Sequence, residues 1–482
     1  MPSRPHTTLL ATAAALGLLA CGASQDPAAI GPLPGAIGTA VRTTQPAQAR
    51  LMPGIAGEVL PLLTVGDTLP SGEVWAPIPD GLGGYASGEQ VVLYANHELS
   101  SSGVKDVNGV TQFPYARVSR LVLDRRTRSV VDASYVLTGA EQYLRLCSAT
   151  WVGPREGFPS GWFMTGEESV GGVHDGMQLA IGTDGTVHEL PWLGRYAHEN
   201  AVAVPFRGKV VLIGTDDTNG ASELYMYVGN TEADVLNGTG RLYVLTSATA
   251  GNAGNLKVGE TYPGTWVEVP GAAALSSGQL QAAVTGLGAF PFVRLEDADY
   301  DHRPGAAPAI YFVDTGSQST LCNGVACDPY GSIYRLEFDR RDPTAPVRFR
   351  LLARSQGAQA GWSAPDNIAA GTRSLMVQED PANSTFAGQR APQVWQFGFN
   401  GRGALTGGRA VAELENPTCD DLAGTCWESS GIISGEGLVG PGTWLFDVQA
   451  HTLPFTVPNA TGGQDTYAGE SGQLLLLRQP GS

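Results

Sequence analysis

Six apolar runs of this sequence end at or close to a carboxylate, and these acids are the side chains best suited to chemistry. The runs are VVLYANHE, GWFMTGEE, KVVLIGTDD, AIYFVDTG, SLMVQED and TWLFDVQAH. Adjacent like charges such as Glu167 and Glu168 repel each other unless a cation lies beside them. Calcium takes about six to eight oxygen ligands, which carboxylates and amides supply. The recurrence therefore predicts a site that gathers hard cations.

Five short constellations at predicted strand ends could supply the ligands. They are Asn96-His97-Glu98, Glu167-Glu168, His198-Glu199-Asn200, Glu296-Asp297 and Asp366-Asn367. Each alone is more often a solvated turn or a cap, but together they favour a shared cation site. The predicted metal ligands are Glu167, Glu168, Glu199, Asp216, Asp217, Glu296, Asp297, Asp366 and Asn367. Strand neighbours point to opposite faces, so we expect His97 and His198 to serve as core residues or outer partners.

Arg294 lies two residues before Glu296, and residues i and i+2 of a strand share a face. Its guanidinium could therefore form an ion pair with Glu296. Its planar fork also suits the oxygens of a phosphate group bridged to metal ions.

The elements that carry these residues are predicted to be strands. Glycine and proline are frequent, and AAALSSGQLQAAVTGLG, residues Ala272 to Gly288, is the best helical candidate. Four of the six runs have an upstream partner: RYAHENAVAV, RLEDADYD, APDNIAAG and ESSGIISGEGLV. Strand pairs that gather acids at one end are typical of propeller blades around a central channel. The sequence predicts an all-β, six-bladed β-propeller with a metal-binding central channel over residues 51–482. A seventh blade containing ELYMYVG and GTWVEVP, or a stack of sandwiches, is the alternative.

The N-terminal residues predict export. Arg4 precedes an apolar run from Leu9 to Ala20 that ends in LLAC, which resembles a bacterial lipobox. Residues 1–21 are predicted to be a lipoprotein signal peptide with lipidation at Cys21, and residues 22–50 a flexible tether. An ordinary signal peptide is the alternative. We expect a monomer held at the cell envelope by a lipid anchor only.

The net charge limits the possible partners, and the cysteine spacing predicts disulfides. The net charge is −17 and no basic run occurs, which argues against nucleic acid as a partner. In an oxidising compartment, Cys322 with Cys327 and Cys419 with Cys426 are predicted disulfides, which leaves Cys147 unpaired.

Seven motifs in the same order resemble the PhoX-type alkaline phosphatase family over most of the chain after about residue 50. They are NHE at Asn96, TGEE at Thr165, GRYAHENAVAV at Gly194, GTDDTNGASELYMYV at Gly214, RLEDAD at Arg294, SIYRLEFD at Ser332 and APDNIA at Ala364. The resemblance implies a secreted phosphomonoesterase on a six-bladed propeller, with iron and calcium in the channel. It implies metal ligation by Glu199 and Glu296, phosphate contact by Asn96 and Arg294, and calcium near Asp216 and Asp217.

The resemblance also implies a bridging cysteine directly before the paired glutamates, where this sequence has Gly166. Loss of that thiolate leaves oxygen ligands, which favours calcium and argues against iron. The predicted function is metal-dependent hydrolysis of a small phosphate ester. A non-catalytic calcium-binding propeller lipoprotein and a calcium-dependent esterase or lactonase are the alternatives.

Overall fold

The computed structural model describes residues 39–220, 222–322, 325–381, 390–416, 419–420, 424–459 and 461–480. Short antiparallel strands dominate these residues. The strands of the first half are β1 Ala49–Leu51, β2 Glu58–Thr64, β3 Pro79–Ser87, β4 Gln90–His97, β5 Val104–Lys105, β6 Thr111–Gln112, β7 Arg117–Asp124, β8 Val130–Leu137, β9 Leu146–Val152, β10 Trp162–Glu167, β11 Gln178–Gly182, β12 Val187–Glu189, β13 His198–Phe206, β14 Lys209–Asp216, β15 Leu224–Gly229 and β16 Arg241–Thr246.

The second half continues the pattern. Its strands are β17 Thr261–Glu268, β18 Leu295–Tyr300, β19 Ala309–Asp314, β20 Ser317–Cys322, β21 Val325–Asp328, β22 Ser332–Glu337, β23 Val347–Arg354, β24 Pro365–Ala370, β25 Ser374–Glu379, β26 Gln393–Phe399, β27 Leu405–Leu414, β28 Glu428–Ser434, β29 Thr443–Ala450, β30 Phe455–Pro458, β31 Gln464–Tyr467 and β32 Ser471–Arg478. The α-helices of the described residues are α1 Glu232–Leu236 and α2 Ser277–Leu287, the second inside the predicted helical segment.

Antiparallel sheets follow one another along the chain. Four-stranded units form from β3-β4-β7-β8, β9-β10-β11-β12, β13-β14-β15-β16, β18-β19-β22-β23, β24-β25-β26-β27 and β28-β29-β32-β2. Strand β17 joins the third and fourth units into one larger sheet, and β1 extends the fifth. ELYMYVG thus contributes β15, the third strand of the third unit, and GTWVEVP contributes the joining strand β17.

The first strands of these units form a ring. Each of β3, β9, β13, β18, β24 and β28 contacts the next, and β28 contacts β3. Strand β2, from the N-terminal end, completes the last unit by pairing with β32. The fold is therefore mainly β with propeller-like sheets, and side chains of neighbouring sheets interdigitate to form the core, as Val204 and Phe312 do between the third and fourth units.

The first strands share a local irregularity at their beginnings. The pairing register shifts between Pro79 and Leu82, His198 and Ala201, Leu295 and Ala298, and Pro365 and Ile368. Strands β9 and β28 have corresponding shifts against β10 and β29. Such bulges re-aim side chains and are common beside active sites. In five of these strands the bulge includes the second residue of the strand and sets the direction of its side chain. These residues are Asp80, Cys147, Glu199, Glu296 and Asp366.

The residue directly before several of the first strands has a strained backbone conformation. Ile78, Arg145, Arg294 and Ala364 have φ values of 52°, 46°, 59° and 46°, and each lies two residues before one of these side chains. Non-glycine residues in the left-handed region cost about 1–3 kcal/mol and tend to cluster at functional sites.

The folded body begins earlier than predicted. Val41 pairs with Val130, and β1 pairs with β27. Residues from about 41 therefore belong to the fold instead of the predicted tether, because they satisfy backbone groups at two sheet edges. The predicted signal peptide and Cys21 lie outside the described residues.

Candidate metal centre

One thiol and six carboxylates converge where the first strands begin. Their ligand atoms form three overlapping groups, each with all atoms within 4.8 Å of one another. The groups are Asp80 with Glu98 and Cys147, Cys147 with Glu168 and Glu199, and Glu199 with Glu296 and Asp366. Cys147 and Glu199 are each shared by two groups, so the cluster is continuous.

Neighbouring polar side chains fix the orientation of the cluster. The Ser148 hydroxyl donates to Glu199 Oε1 and accepts from Asn367 Nδ2 at 2.6 Å. The Cys147 thiol donates to Asp80 Oδ2 at 3.4 Å, and Gln449 Nε2 donates to the same oxygen at 2.9 Å. These bonds hold the side chains at one end of the ring without neutralising their charge.

Burial makes the cluster electrostatically unfavourable without bound cations. Burial and neighbouring acids raise the pKa of Glu199 to about 8, and they also raise the pKa of Asp80 and Asp366. Burial and the adjacent carboxylates likewise raise the pKa of the Cys147 thiol. Asp80 Oδ1 and Glu199 Oε2 are buried without a hydrogen-bond partner among the described residues. Unpartnered oxygens in a crowded acidic site fit the ligand requirements of metal ions.

Two arginines lie at the rim of the cluster. Arg145 donates to Glu98 at 2.8 Å and to both oxygens of Glu168, and its side chain is 46% exposed. Arg294 donates to Asp217 at 2.7 Å and lies 3.2 Å from Glu296, with a side chain that is 17% exposed. The predicted contact between Arg294 and Glu296 is thus present, and the cluster has cationic groups at its accessible edge.

Some predicted metal ligands point elsewhere. Glu167 accepts from the backbone N–H groups of Leu144, Gly176 and Met177, and so caps a turn. Asp297 accepts from Asn200 Nδ2 and from the backbone N–H of Ile368. Their carboxylates are occupied within the protein because strand neighbours project to different sides.

Asp216 and Asn96 also differ from their predicted positions. The hydroxyl and backbone N–H of Thr218 donate to Asp216, and burial together with the nearby Glu223 raises the pKa of Asp216. Neither acid belongs to the three groups. Asn96 donates its amide hydrogens to Cys147 O at 2.6 Å and Thr165 Oγ1 at 2.8 Å. Asn96 therefore anchors the strand that carries Cys147, and its amide hydrogens are donated within the protein.

Gly166 packs against other side chains and is not the position of the thiol in this protein. A Cβ atom at Gly166 would lie 2.5 Å from His198 Cβ and 3.0 Å from Gln178 Oε1, so this position faces packed side chains. The thiol of the cluster comes from Cys147, on the neighbouring strand β9. The protein therefore has a thiol among the carboxylates of the cluster, and the glycine at position 166 gives no reason to exclude iron.

The remaining predicted residues have structural roles. Burial lowers the pKa values of His97 and His198 to about 3, and their ring nitrogens contact Pro77 O and Gly194 O, so both are neutral core residues. Cys419 and Cys426 are joined by a disulfide. The side chains of Cys322 and Cys327 lie outside the described residues.

Sequence reasoning missed Asp80 and Cys147 and did not select Glu98 as a ligand. A signal was present, since PDG, LCS, HEN, LED and PDN open five of the first strands with the ligand in second place. HEN, LED and PDN lie in strand pairs that the sequence predicts, whereas PDG and LCS do not.

Comparisons with known proteins give a family and a set of distant structural likenesses. The family model of alkaline phosphatase PhoX matches residues 183–432, which include Glu199, Arg294, Glu296 and Asp366. No curated protein matches the chain.

The solved structures that resemble this chain share little of its sequence. A Trypanosoma rangeli sialidase in complex with 2,3-difluoro-KDN is 10% identical, with a TM-score of 0.41 over 89% of this chain and 59% of that one. The N11 neuraminidase-like protein of A/flat-faced bat/Peru/033/2010 is 10% identical, with a TM-score of 0.36 over 90% and 97%.

The family match covers just over half of the chain. Membership implies alkaline phosphatase activity, which in this family depends on metal ions. The chain belongs to the alkaline phosphatase PhoX family.

Proposed function

We propose that the protein is an extracytoplasmic phosphomonoesterase whose metal centre lies in the central channel of a six-bladed β-propeller. The observation that supports this proposal most directly is the buried cluster of Cys147 and carboxylates with Arg294 at its edge. Cations held there would supply positive charge for the oxygens of a phosphoryl group.

The residues of the site fall into metal ligands and a phosphate-binding arginine. Asp80, Glu98, Cys147, Glu168, Glu199, Glu296 and Asp366 would hold the ions. Arg294, fixed by two carboxylates and partly accessible, would donate its fork to the phosphoryl oxygens, where charge develops during transfer. Asn96 and Ser148 would keep the ligand strand and Glu199 in position.

Glu167 and Glu168 provide a matched test of this function. Both are paired glutamates of one motif, but only Glu168 belongs to the cluster. Changing outer partners of metal ligands already costs about 10- to 100-fold, so Glu168→Gln should lower phosphomonoester turnover at least about tenfold. Glu167→Gln should lower the melting temperature while turnover in the folded protein stays near wild type.

The assay should include phosphomonoesters, phosphodiesters, carboxylic esters and lactones with metal-loaded protein. Equal turnover by the Glu168 and Glu167 variants would show that the cluster takes no part in catalysis. A wild-type protein that binds calcium but hydrolyses nothing would support the non-catalytic alternative. Hydrolysis of lactones alone would support the esterase or lactonase alternative.

We propose that the centre holds calcium and also iron, because it offers hard oxygens and one thiol. Cys147→Ser should lower the iron content strongly while calcium is retained, as measured by elemental analysis. Gly166→Cys should not restore iron to the Cys147 variant, because its Cβ would collide with His198. Overpacking of this kind typically costs about 1–3 kcal/mol of stability. Unchanged iron in the Cys147→Ser protein would contradict this assignment.

We also propose that Cys21 carries the lipid that holds a monomer at the cell envelope. None of the helices in the described part of the chain is long and apolar enough to span a membrane. Native protein should sediment with membranes, and Cys21→Ala should release it; release of the wild type without detergent would argue against the anchor.

A further inference from the structure

A groove rich in arginine lies away from the metal centre. Two clefts of about 420 and 350 Å³ adjoin, since Arg335, Glu337 and Arg402 line both, and we treat them together as one groove. Its arginines are Arg303, Arg335, Arg340, Arg348, Arg350 and Arg402. We call it the arginine groove. None of the lysines lines it.

The arginine groove has a charge opposite to that of the protein. Glu337 is its lining acid, and Asp301 pairs with Arg303 at 2.7 Å and Arg335 at 2.9 Å. Six guanidinium groups against two carboxylates leave a surplus of positive charge in a chain with a net charge of −17. A surplus of this kind attracts anions from a distance.

The sheet places like charges opposite each other. Arg335 of β22 and Arg350 of β23 are direct register partners, and Arg348 lies two residues from Arg350, on the same face. Like charges directly opposite in a sheet are destabilising. Asp301 and Glu337 already pair with Arg335, whereas Arg350 forms no ion pair in the described part of the chain. An anion bound beside Arg350 would supply the missing counter-charge.

The walls of the groove are fixed before any ligand binds. Arg303 donates to Asn400 O and Tyr311 donates to Gly403 O, both at 2.9 Å, which ties the turn that carries Arg402 to the fourth unit. Arg335 lies over the Tyr311 ring, and its Nε is buried without a hydrogen-bond partner among the described residues. Arg340 and Arg402 are exposed and form no ion pair in the described part of the chain.

We propose that the arginine groove binds a linear chain of phosphoryl groups, as in polyphosphate. Guanidinium forks match phosphate oxygens in pairs, and two adjoining clefts suit a multivalent anion better than a single phosphate. The groove is built from β17, β22, β23, the loop between β18 and β19 and the turn after β26. The metal centre is built from the starts of the first strands and the ends of their neighbours. The two sites are separate.

The test measures binding of inorganic tripolyphosphate by calorimetry at about 50 and about 200 mM salt. Contacts between arginines and a multivalent anion weaken strongly over this range. The double variant Arg348→Ser/Arg402→Ser should bind about tenfold more weakly or worse, since one charge-assisted contact accounts for about that factor. The control Arg126→Ser/Arg207→Ser removes two exposed arginines outside the groove and should bind like wild type. Phosphomonoester turnover should be unchanged in both.

Four results would overturn the proposal. They are no binding at the lower salt, equal affinity of the groove variant and wild type, equal weakening of the control, and preference for anionic phospholipid vesicles over tripolyphosphate. Melting curves of both variants verify that folding is retained. Because the groove variants keep the metal centre intact, this test can fail without bearing on the proposed phosphatase activity.

Discussion

Arg294→Ala is expected to lower phosphomonoester turnover by about a hundred- to a thousandfold in metal-loaded protein. That is the usual loss when one fixed donor to a developing charge is removed. Arg294 is suited to this role because two carboxylates hold its guanidinium at the edge of the cluster. The effect should appear mainly in kcat, since the contact is strongest as charge develops on the phosphoryl oxygens.

The burial of Arg294 requires a stability control. A solvated ion pair would contribute at most about 1 kcal/mol, but Arg294 is 17% exposed and its partners are less so. Breaking a buried pair costs about 3–5 kcal/mol, so metal-free Arg294→Ala should melt earlier than wild type. Arg390, 18% exposed and paired with Glu379 at 2.7 Å, is the matched control. Arg390→Ala should lose stability but keep turnover; if Arg294→Ala does the same, Arg294 has no part in the reaction.

Metal removal is expected to destabilise the fold strongly, and more so at alkaline pH. One ion present at about 1000 times its Kd stabilises the folded state by about 4 kcal/mol, and its loss reverses that gain. Removal also leaves Asp80, Glu168, Glu199, Glu296 and Asp366 close together, with Arg145 and Arg294 as counter-charges at the edge.

The sign of the pH dependence follows from the raised pKa values. Burial and neighbouring acids place the pKa of Glu199 near 8 and raise those of Asp80, Glu168, Glu296 and Asp366. Between the ordinary carboxyl pKa, about 4, and these values, the folded metal-free protein binds more protons than the unfolded chain. The free energy of unfolding therefore falls as pH rises through this window.

Melting curves at pH 5.5 and 8, about the middle and the upper end of that window, measure the effect. Metal-free protein prepared by dialysis should melt at a lower temperature at the higher pH, and added calcium should restore most of the loss there. The Glu168→Gln variant removes one of the charges and should narrow the difference between the two values. A melting temperature that neither metal nor pH changes would show that the cluster is not a structural cation site.

The sequence predicted the strand pairs better than the ligands. The six apolar runs are the second strands of the six units, and the four recognised partners are first strands β13, β18, β24 and β28. The two partners that went unrecognised, β3 and β9, carry Asp80 and Cys147. Their openings, PDG and LCS, contain one ionisable residue each, so they lack the paired polar residues that marked the others.

The choice between adjacent acids could not be made from the sequence. Glu168 and Glu296 enter the cluster, whereas Glu167 and Asp297 accept backbone N–H groups. Adjacent side chains of a strand point to opposite faces, but a bulge determines which of the two faces the axis of the ring. A bulge is defined by pairing with another strand, which residue types alone do not encode. The same limit hides which strand carries the thiol of the cluster, which is β9 with Cys147 and not β10 with Gly166.

The pairing of β2 with β32 also sets when the enzyme can assemble during synthesis. The last sheet pairs β2 with β32, so it cannot be completed until the residues between these two strands have been synthesised. Contacts between such distant segments close slowly, because the loop between them must be ordered first. An unclosed ring would leave the ligand strands free to separate. Metal loading should therefore follow completion of the chain, and with the export proposed above the selection of ions would take place outside the cytoplasm.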